Sequence, residues 1–304
     1  MTKAEKISGT IFGIIAVVVL IIFIQNAKNT VDTSLQEQPE NTIRVATYNV
    51  HYISLRSGDG AWSIPGWDTR KASLQESFAA LDADIVAFQE MESYGRGGDK
   101  NTNLTKEFLI ENNPNYTAGA TGDALTFPST QPIFYKTEKF NLVNQGWFFF
   151  SETPDVIYSR AFNGSFPSFA SWVELENKET GNAKKVVNIH VDFSSFTNRT
   201  RSIELVVNRV QPWLDANEHV LVVGDFNARL GSKVHAYLEM IGMQFADVKG
   251  STYHFNRGLH LFDAIDHVAY SNAFEVIGNP AVIQENYDGM WPTDHYPVVV
   301  DLKL

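Results

Sequence analysis

From residue 43 onward the chain is punctuated by short apolar, β-branched runs. They fall at 43–48, 85–89, 132–135, 147–151, 170–174, 186–191, 220–223, 264–270 and 298–302. Runs of that length and composition read as buried strands. Between some of them apolar residues recur at three- and four-residue intervals, which predicts helices at 69–81, 102–112, 198–216 and 232–240. In 198–216 the stripe is Ile203, Val206, Val207, Val210 and Leu214. Ser232 stands where it can cap the fourth helix. Strand pairs early, helices interspersed and strands again late predict an α/β chain of two packed sheets flanked by helices. No repeat at solenoid or propeller periods is visible.

The residues that follow these runs narrow the function. Asn49 follows VATY, and Gln89 and Glu90 follow IVAF. His190 and Asp192 follow VVNI, Asp225 and Asn227 follow VLVVG, Asp266 follows AI, and Asp294 and His295 follow WPT. A polar residue at one strand end is ordinarily a loop or cap residue. Six such ends, all drawing on Asn, Gln, Glu, Asp and His, describe groups projected from rigid elements into one cleft. Residues two apart, such as Asp225 and Asn227, can share a side.

The first 42 residues are of another kind. Residues 9–24 (GTIFGIIAVVVLIIFI) carry no charge, and Lys3 and Lys6 precede them. Such a run lies between a signal-peptide core and a short membrane span. Ala27 offers a small residue for cleavage, but Gln25 is a poor partner for it, so residues 1–24 read as an uncleaved signal-anchor. The cationic N-terminus should remain in the cytoplasm and the body lie outside the membrane, periplasmic or extracellular. Cleavage would instead give a secreted protein. Residues 25–42 (QNAKNTVDTSLQEQPENT) are polar and aperiodic and read as a linker, with the folded body at 43–304.

Composition excludes several chemistries. The chain has no cysteine, so disulfide frameworks, thiolate zinc sites, iron–sulfur clusters and cysteine nucleophiles are ruled out. Its net charge of −11 repels polyanions and argues against a broad nucleic-acid grip. An enzyme that offsets acidic ligands with a bound cation remains compatible with it.

Taken in order, the motifs are TYN at 47–49, QE at 89–90, FYK at 134–136, SETPD at 151–155, IHVD at 189–192, GDFNA at 224–228, ID at 265–266 and TDHYPV at 293–298. This series resembles the endonuclease/exonuclease/phosphatase family of metal-dependent phosphoesterases, over residues 43–304. The resemblance implies a four-layer α/β sandwich of two mixed sheets. It also implies hydrolysis of a phosphoester by water attacking in line, with Mg²⁺ as cofactor and Mn²⁺ as its substitute. Hard oxygen ligands suit such an ion.

The resemblance further assigns roles. Glu90 is the principal metal ligand, and Asn49 helps arrange metal and phosphate. Asp225 is the base or orients the water, with Asn227 beside it on the phosphate. His295 contacts the scissile phosphate, charged through a pairing with Asp266. His190 is a second phosphate-facing histidine, and Asp294 lies near a metal position or assists His295. Gly224 is expected to allow a tight exit from its strand. The implied partners are the phosphoester substrate and, through the N-terminal helix, a membrane; the expected state is a monomer without an obligate protein partner.

Other polar residues carry less. Asp192 either shares the face of His190 or bonds the next helix N-terminus. Arg199 and Arg201 read as helix charges or anion guides. His254, Arg257 and His260 form a loop or a substrate rim. Trp62 and Trp67 flank Pro65 in an expected loop, for recognition or packing. Ser168 stands where relatives carry an arginine, and Arg160 lies eight residues earlier. His267 and Ala264 also depart from the pattern around Asp266. Nuclease, phospholipid phosphodiesterase and small-phosphate phosphatase therefore remain alternatives, as does a non-catalytic scaffold on the same fold.

Overall fold

A computed structural model describes residues 3–95 and 101–304, with side chains from Thr10 onward. Met1 and Thr2 of the expected anchor, and the side chains of Lys3 and Lys6, lie outside the described residues. The elements run α1 (Lys3–Asn29), β1 (Ile43–Asn49), β2 (Ile53–Ser54), α2 (Ile64–Leu81), β3 (Ile85–Gln89), β4 (Ser93–Tyr94) and α3 (Leu104–Asn112). Then come β5 (Tyr116–Gly119), β6 (Ile133–Lys136), β7 (Phe140–Phe149), β8 (Phe169–Asn177), β9 (Ala183–His190), α4 (Phe196–Asp215) and β10 (His219–Asp225). The last are α5 (Lys233–Glu239), β11 (Gln244–Phe245), β12 (Asp266–Tyr270), β13 (Glu275–Val282) and β14 (Val298–Lys303).

Among the described residues two six-stranded sheets form, ordered β13-β14-β1-β3-β6-β5 and β11-β12-β10-β9-β8-β7. Each is mixed: β1–β3 and β9–β10 are parallel, their other neighbours antiparallel. Strand alternation sorts each strand's residues onto two faces. Val45, Ile85, Val186, Leu221, Val268 and Val300 fill the space between the sheets. Ala46, Tyr48 and Phe88 pack outward against Leu74 and Phe78 of α2. Val187, Val220 and Val222 pack outward against Ile203, Val206 and Val210 of α4. The result is helix, sheet, sheet, helix, as expected.

The structure adds elements that the apolar runs do not mark. β13 and the first half of β7 are mostly exposed or half-buried, so polar side chains interrupt the run. Helix α2 begins at Ile64, not at 69. The Ser63 hydroxyl caps it by accepting from Gly66 N at 3.1 Å, and Pro65 occupies the first turn, where a missing N–H costs nothing. The expected Trp62–Trp67 loop is thus mostly helix. Ser232 does sit at the N-cap of α5, but its hydroxyl meets His235 Nδ1 at 3.0 Å and makes no cap bond.

Helix α1 runs to Asn29, taking in part of the expected linker. Residues 30–42 hold no helix or strand beyond a turn, yet they are tied to the body. Val31 packs on the inter-sheet core, Leu35 packs on the α2 core, and Gln38 donates to Asp84 at 2.7 Å.

Candidate active site

The inter-sheet layer is apolar along most of its length and turns polar at one end. The inward residues there are Thr47 and Asn49 of β1, Gln89 of β3, Asn188 and His190 of β9, Asp225 of β10 and Asp266 of β12. Strand register places Asn49 opposite Gln89, and Asp225 opposite both His190 and Asp266. Thr47, Gln89 and Asn188 form a buried floor. Gln89 Nε2 donates to Asn188 Oδ1 at 2.7 Å and to Thr47 Oγ1 at 3.0 Å, and Asn188 Nδ2 donates to Phe88 O at 2.7 Å. With its partners satisfied, this floor is rigid.

Above it sit the ionisable groups. Alternation after the inward Gln89 would send Glu90 to the helix side. A positive φ of 53° at Glu90 turns the chain and brings its carboxylate to Asn49 instead. Asn49 Nδ2 bridges Glu90 Oε1 at 3.1 Å and Asp225 Oδ2 at 3.2 Å. His190 Nε2 lies 3.8 Å from Glu90 Oε1 and 3.7 Å from Asp225 Oδ2. His295 Nδ1 lies 3.0 Å from Asp266 Oδ2, which leaves Nε2 facing Asp225 Oδ2 at 3.9 Å. Gly224 has φ 142°, and a Cβ there would collide with the Ile189 carbonyl oxygen. Only glycine lets β10 approach β9 this closely before Asp225.

Burial and mutual charge set the protonation states. Burial and the neighbouring Asp266 push Asp225 up to about 6, against the pull of His190 and His295. Burial opposes charge on His295, but Asp266, Asp225 and Asp294 outweigh it and raise the ring to about 10. Burial also opposes charge on Glu90, yet His190, His51 and Asn49 hold its carboxyl below the ordinary value. The arrangement is therefore a charged imidazolium and a carboxylate beside a proton acceptor poised near neutrality.

The donor set fits a hard divalent cation. Asp225 and Asp266 bring buried carboxylate oxygens within 4.8 Å of each other, and Asn49 Nδ2 links Asp225 to Glu90. Asp266 Oδ1 is buried without a hydrogen-bond partner. A buried carboxylate oxygen left so is costly, and a cation would satisfy it.

Residues 46–295 match the family model described as the Endonuclease/Exonuclease/phosphatase family. The chain belongs to that family. A mannosyl-6-phosphatase of Bacteroides thetaiotaomicron is similar in structure, with TM-score 0.72 and 25% identity, covering 86% of this chain and 100% of that one. An endonuclease/exonuclease/phosphatase from Bacteroides vulgatus superposes with TM-score 0.71 at 22% identity, over 87% of this chain and 100% of that one. Among curated proteins, the CCR4-Not complex 3'-5'-exoribonuclease subunit Ccr4 of Kluyveromyces lactis is 22% identical over 87% of this chain. The chain spans 41% of that protein's length. Members of the endonuclease/exonuclease/phosphatase family are phosphoesterases, with nucleases and phosphatases among them.

Against the family pattern, the expected residues divide. Asn49, Glu90, His190, Asp225, Asp266 and His295 converge. Asn227 lies beside them at φ 44°, but its amide donates to Val191 O at 2.9 Å and its N–H to Asp225 Oδ1 at 2.8 Å. Asp294 stands outside the buried Asp225–Asp266–His295 group; its carboxylate accepts from Thr293 Oγ1 at 3.3 Å and its carbonyl from His254 N.

The weaker candidates take structural posts. Asp192 accepts from Ser194 N, Ser195 N and Asn198 Nδ2, so it braces the start of α4. Arg199 holds the carbonyls of Asp192 and Phe193. Arg201 pairs with Glu152, and Arg160 donates to Gly164 O. His254 is buried and stacked on Tyr296 at 4.0 Å, which removes it from any rim. His260 is wedged between Thr30 and Tyr296. Trp67 is buried on Phe108, while Trp62 stacks on His51 at 3.8 Å.

Sequence reasoning missed His51, Arg70 and Tyr253. His51 donates its N–H to Asn49 Oδ1 at 3.1 Å, and its charge acts on Glu90. Its position two residues after Asn49 was the available signal. Arg70 is buried in α2 and holds the carbonyls of Val50 and Pro292, tying the Asn49 strand end to the His295 loop. Nothing in the helical pattern marks it. Tyr253 pairs with His295 in an isolated antiparallel backbone bridge, its ring 5.1 Å from the imidazole.

Proposed function

We propose that this chain is a divalent-metal-dependent phosphoester hydrolase, using Mg²⁺ with Mn²⁺ as a substitute. The observation that supports it most is the buried Asp225–Asp266–His295 group, with its unpartnered Asp266 oxygen, beside Glu90 and Asn49. Glu90, with Asn49 beside it, would hold the ion. When bound it would neutralise phosphate charge and favour hydroxide.

The chain's own residues do the rest. Phosphoesters resist attack because their anionic oxygens repel the nucleophile. His295, kept charged by Asp266, places a positive Nε2 where negative charge builds on the phosphate. His190, facing Glu90 and Asp225, is the second group turned to the phosphate. Asp225 takes the proton of the attacking water, and Asn49 and the Asn227 N–H fix its two oxygens. A scaffold reading predicts a missing core position, and all are filled.

Helix α1 is the proposed membrane anchor, with the body outside the cytoplasm. Its Thr10–Asn29 stretch passes as a span by length and composition, and its apolar run ends at Ile24. A monomer without an obligate protein partner completes the reading.

The test is a panel of chromogenic phosphomonoesters and phosphodiesters, sugar phosphates and single-stranded RNA, offered to the detergent-solubilised full chain. Turnover of at least one with Mg²⁺, abolished by EDTA, is expected. Turnover that survives EDTA, or none on any phosphoester, contradicts the proposal. Added salt sorts the substrates, since nuclease rates fall steeply with it. The net charge of −11 and the likeness to a mannosyl-6-phosphatase favour a small phosphate over a polynucleotide.

A further inference from the structure

An aromatic ladder joins the site to the base of α1. The rings of His295 and Tyr253 lie 5.1 Å apart, those of Tyr253 and Phe255 4.6 Å, and those of Phe255 and Phe262 5.8 Å. The next residue, Asp263, pairs with Lys28 at 3.0 Å, in the last turn of α1. The loop that flanks the mouth is thus the loop on which the helix stands.

The joint is fixed, not hinged. His260 N donates to Asn26 Oδ1 at 2.8 Å, and Asn29 Nδ2 donates back to His260 O at 3.3 Å. Asn29 O accepts from Gln284 Nε2 at 2.9 Å and from Ser251 N at 3.0 Å. Val31 then enters the inter-sheet core over Gly250, where a Cβ would crowd it at 2.8 Å. Asn29 is 3% exposed, whereas none of the apolar window just before it is buried. Buried hydrogen bonds at the end of an exposed apolar helix transmit that helix's orientation to the domain.

The same end of the strands is apolar at its surface. Phe262 is 51% exposed, Phe193 after β9 is 79% exposed, and Phe166 before β8 is 81% exposed. Leu259 and Phe196 are exposed there too. The turn between β8 and β9, at the other end, presents Lys178, Glu179 and Thr180. Exposed aromatics at the strand end to which an apolar helix is clamped fit a lipid interface, where rings sit at the headgroup level.

We propose that the mouth of the site is a membrane-facing surface: α1, clamped by Asn26, Asn29 and Val31, holds the β9 end that carries His190 and the loop that carries His295 against the bilayer, with Phe262 and Phe193 at the headgroup boundary. The inference rests on α1 staying in the membrane and not on the hydrolytic reading. Its consequence is access to phosphoesters displayed at a bilayer surface.

The chain has no cysteine, so single labels are clean. The full chain is reconstituted into phosphatidylcholine–phosphatidylglycerol vesicles containing a nitroxide-bearing lipid. An environment-sensitive fluorophore is attached at Phe262→Cys, Phe193→Cys or Glu179→Cys. Several-fold stronger quenching at 262 and 193 than at 179 is expected. A flexible Gly-Gly-Ser insertion between Ala27 and Lys28 should erase that contrast while the protein still floats with the vesicles. Equal quenching at both ends, a contrast that survives the insertion, or failure of the intact chain to float overturns the proposal. Vesicles that show the contrast but hydrolyse no phosphoester uphold the orientation and remove the hydrolase reading.

Discussion

The two ends of the same strands carry opposite electrostatic solutions. At the end away from the site, each carboxylate named here meets a cation. Arg44 forks onto both oxygens of Asp301 at 2.8 Å. Asp84, fully buried, takes Lys139 at 2.6 Å, Lys136 at 3.4 Å, Gln38 and the Arg44 N–H. Lys184 is the exception there: its ammonium has no hydrogen-bond partner, sits over the Phe140 ring, and is drawn down by burial to about 8. At the site end, Glu90, Asp225 and Asp266 gather around His190 and His295, with Asp294 acting on His295 by charge alone, without lysine or arginine ion pairs among the described residues. One end is built for stability. The other holds surplus negative charge that a cation would complete, which costs stability and creates function.

Substitutions at the two ends should therefore separate rate from stability. His295→Ala removes the imidazolium proposed to face the phosphate and should lower kcat/KM on the order of a thousandfold, about 4 kcal/mol of transition-state stabilisation. Its urea midpoint should move far less than its rate. At the other end, Asp84→Asn leaves Lys136 and Lys139 without their buried partner and should lower unfolding stability by about 3 kcal/mol, with Mg²⁺-dependent turnover kept. Loss of turnover in a folded Asp84→Asn protein would break the comparison.

Asp225→Asn sharpens it. An acid whose folded value is raised contributes unfavourably once ionised, above its unfolded value near 3.9 and fully above about 6. Asp225→Asn should therefore abolish turnover and raise metal-free stability at pH 7 by about 2 kcal/mol. Saturating Mg²⁺ should narrow that gap, because binding stabilises the wild type. A destabilised Asp225→Asn protein would contradict the picture of repulsion.

A pH-dependent effect concerns buried histidines that belong to neither end's ion pairs. Burial draws His235 and His254 down to about 3 and His267 down to about 4. They are neutral in the fold, while their unfolded counterparts gain a proton near pH 6.5. Their contribution is complete above that pH and is lost as pH falls toward 4. Each costs about 1.4 kcal/mol per pH unit in that window. Urea midpoints at pH 7.5 and 5 should show the loss, and His235→Phe, between the Phe226 and Phe245 rings, should reduce its slope.

Much of this was legible before any coordinates. Strands with inward residues of one kind, such as Val220 to Val223, announce themselves as apolar runs, and the polar residue closing each run marks the site. β13 and the outer half of β7 did not, because one face meets solvent and polar residues break the run. The roles of Glu90 and Asn227 depend on positive φ values at non-glycine residues, which composition cannot show. Arg70 was invisible because a cation inside a polar helix reads as a surface charge, though its partners are carbonyls distant in sequence. The linker misled for the reverse reason: Asn29 and Val31 are bound by Gln284, Ser251 and Gly250, which lie far along the chain.

The most direct measurement is turnover of a chromogenic phosphodiester by the full chain, titrated with Mg²⁺, in wild type and in Glu90→Gln. The expected result is saturable Mg²⁺-dependent hydrolysis in the wild type, and in Glu90→Gln both a weakened Mg²⁺ requirement curve and a rate lower by about a thousandfold. Equal rates and equal Mg²⁺ curves in the two proteins, or hydrolysis indifferent to Mg²⁺, would contradict the central claim that the surplus of negative charge at the site end exists to hold a catalytic cation.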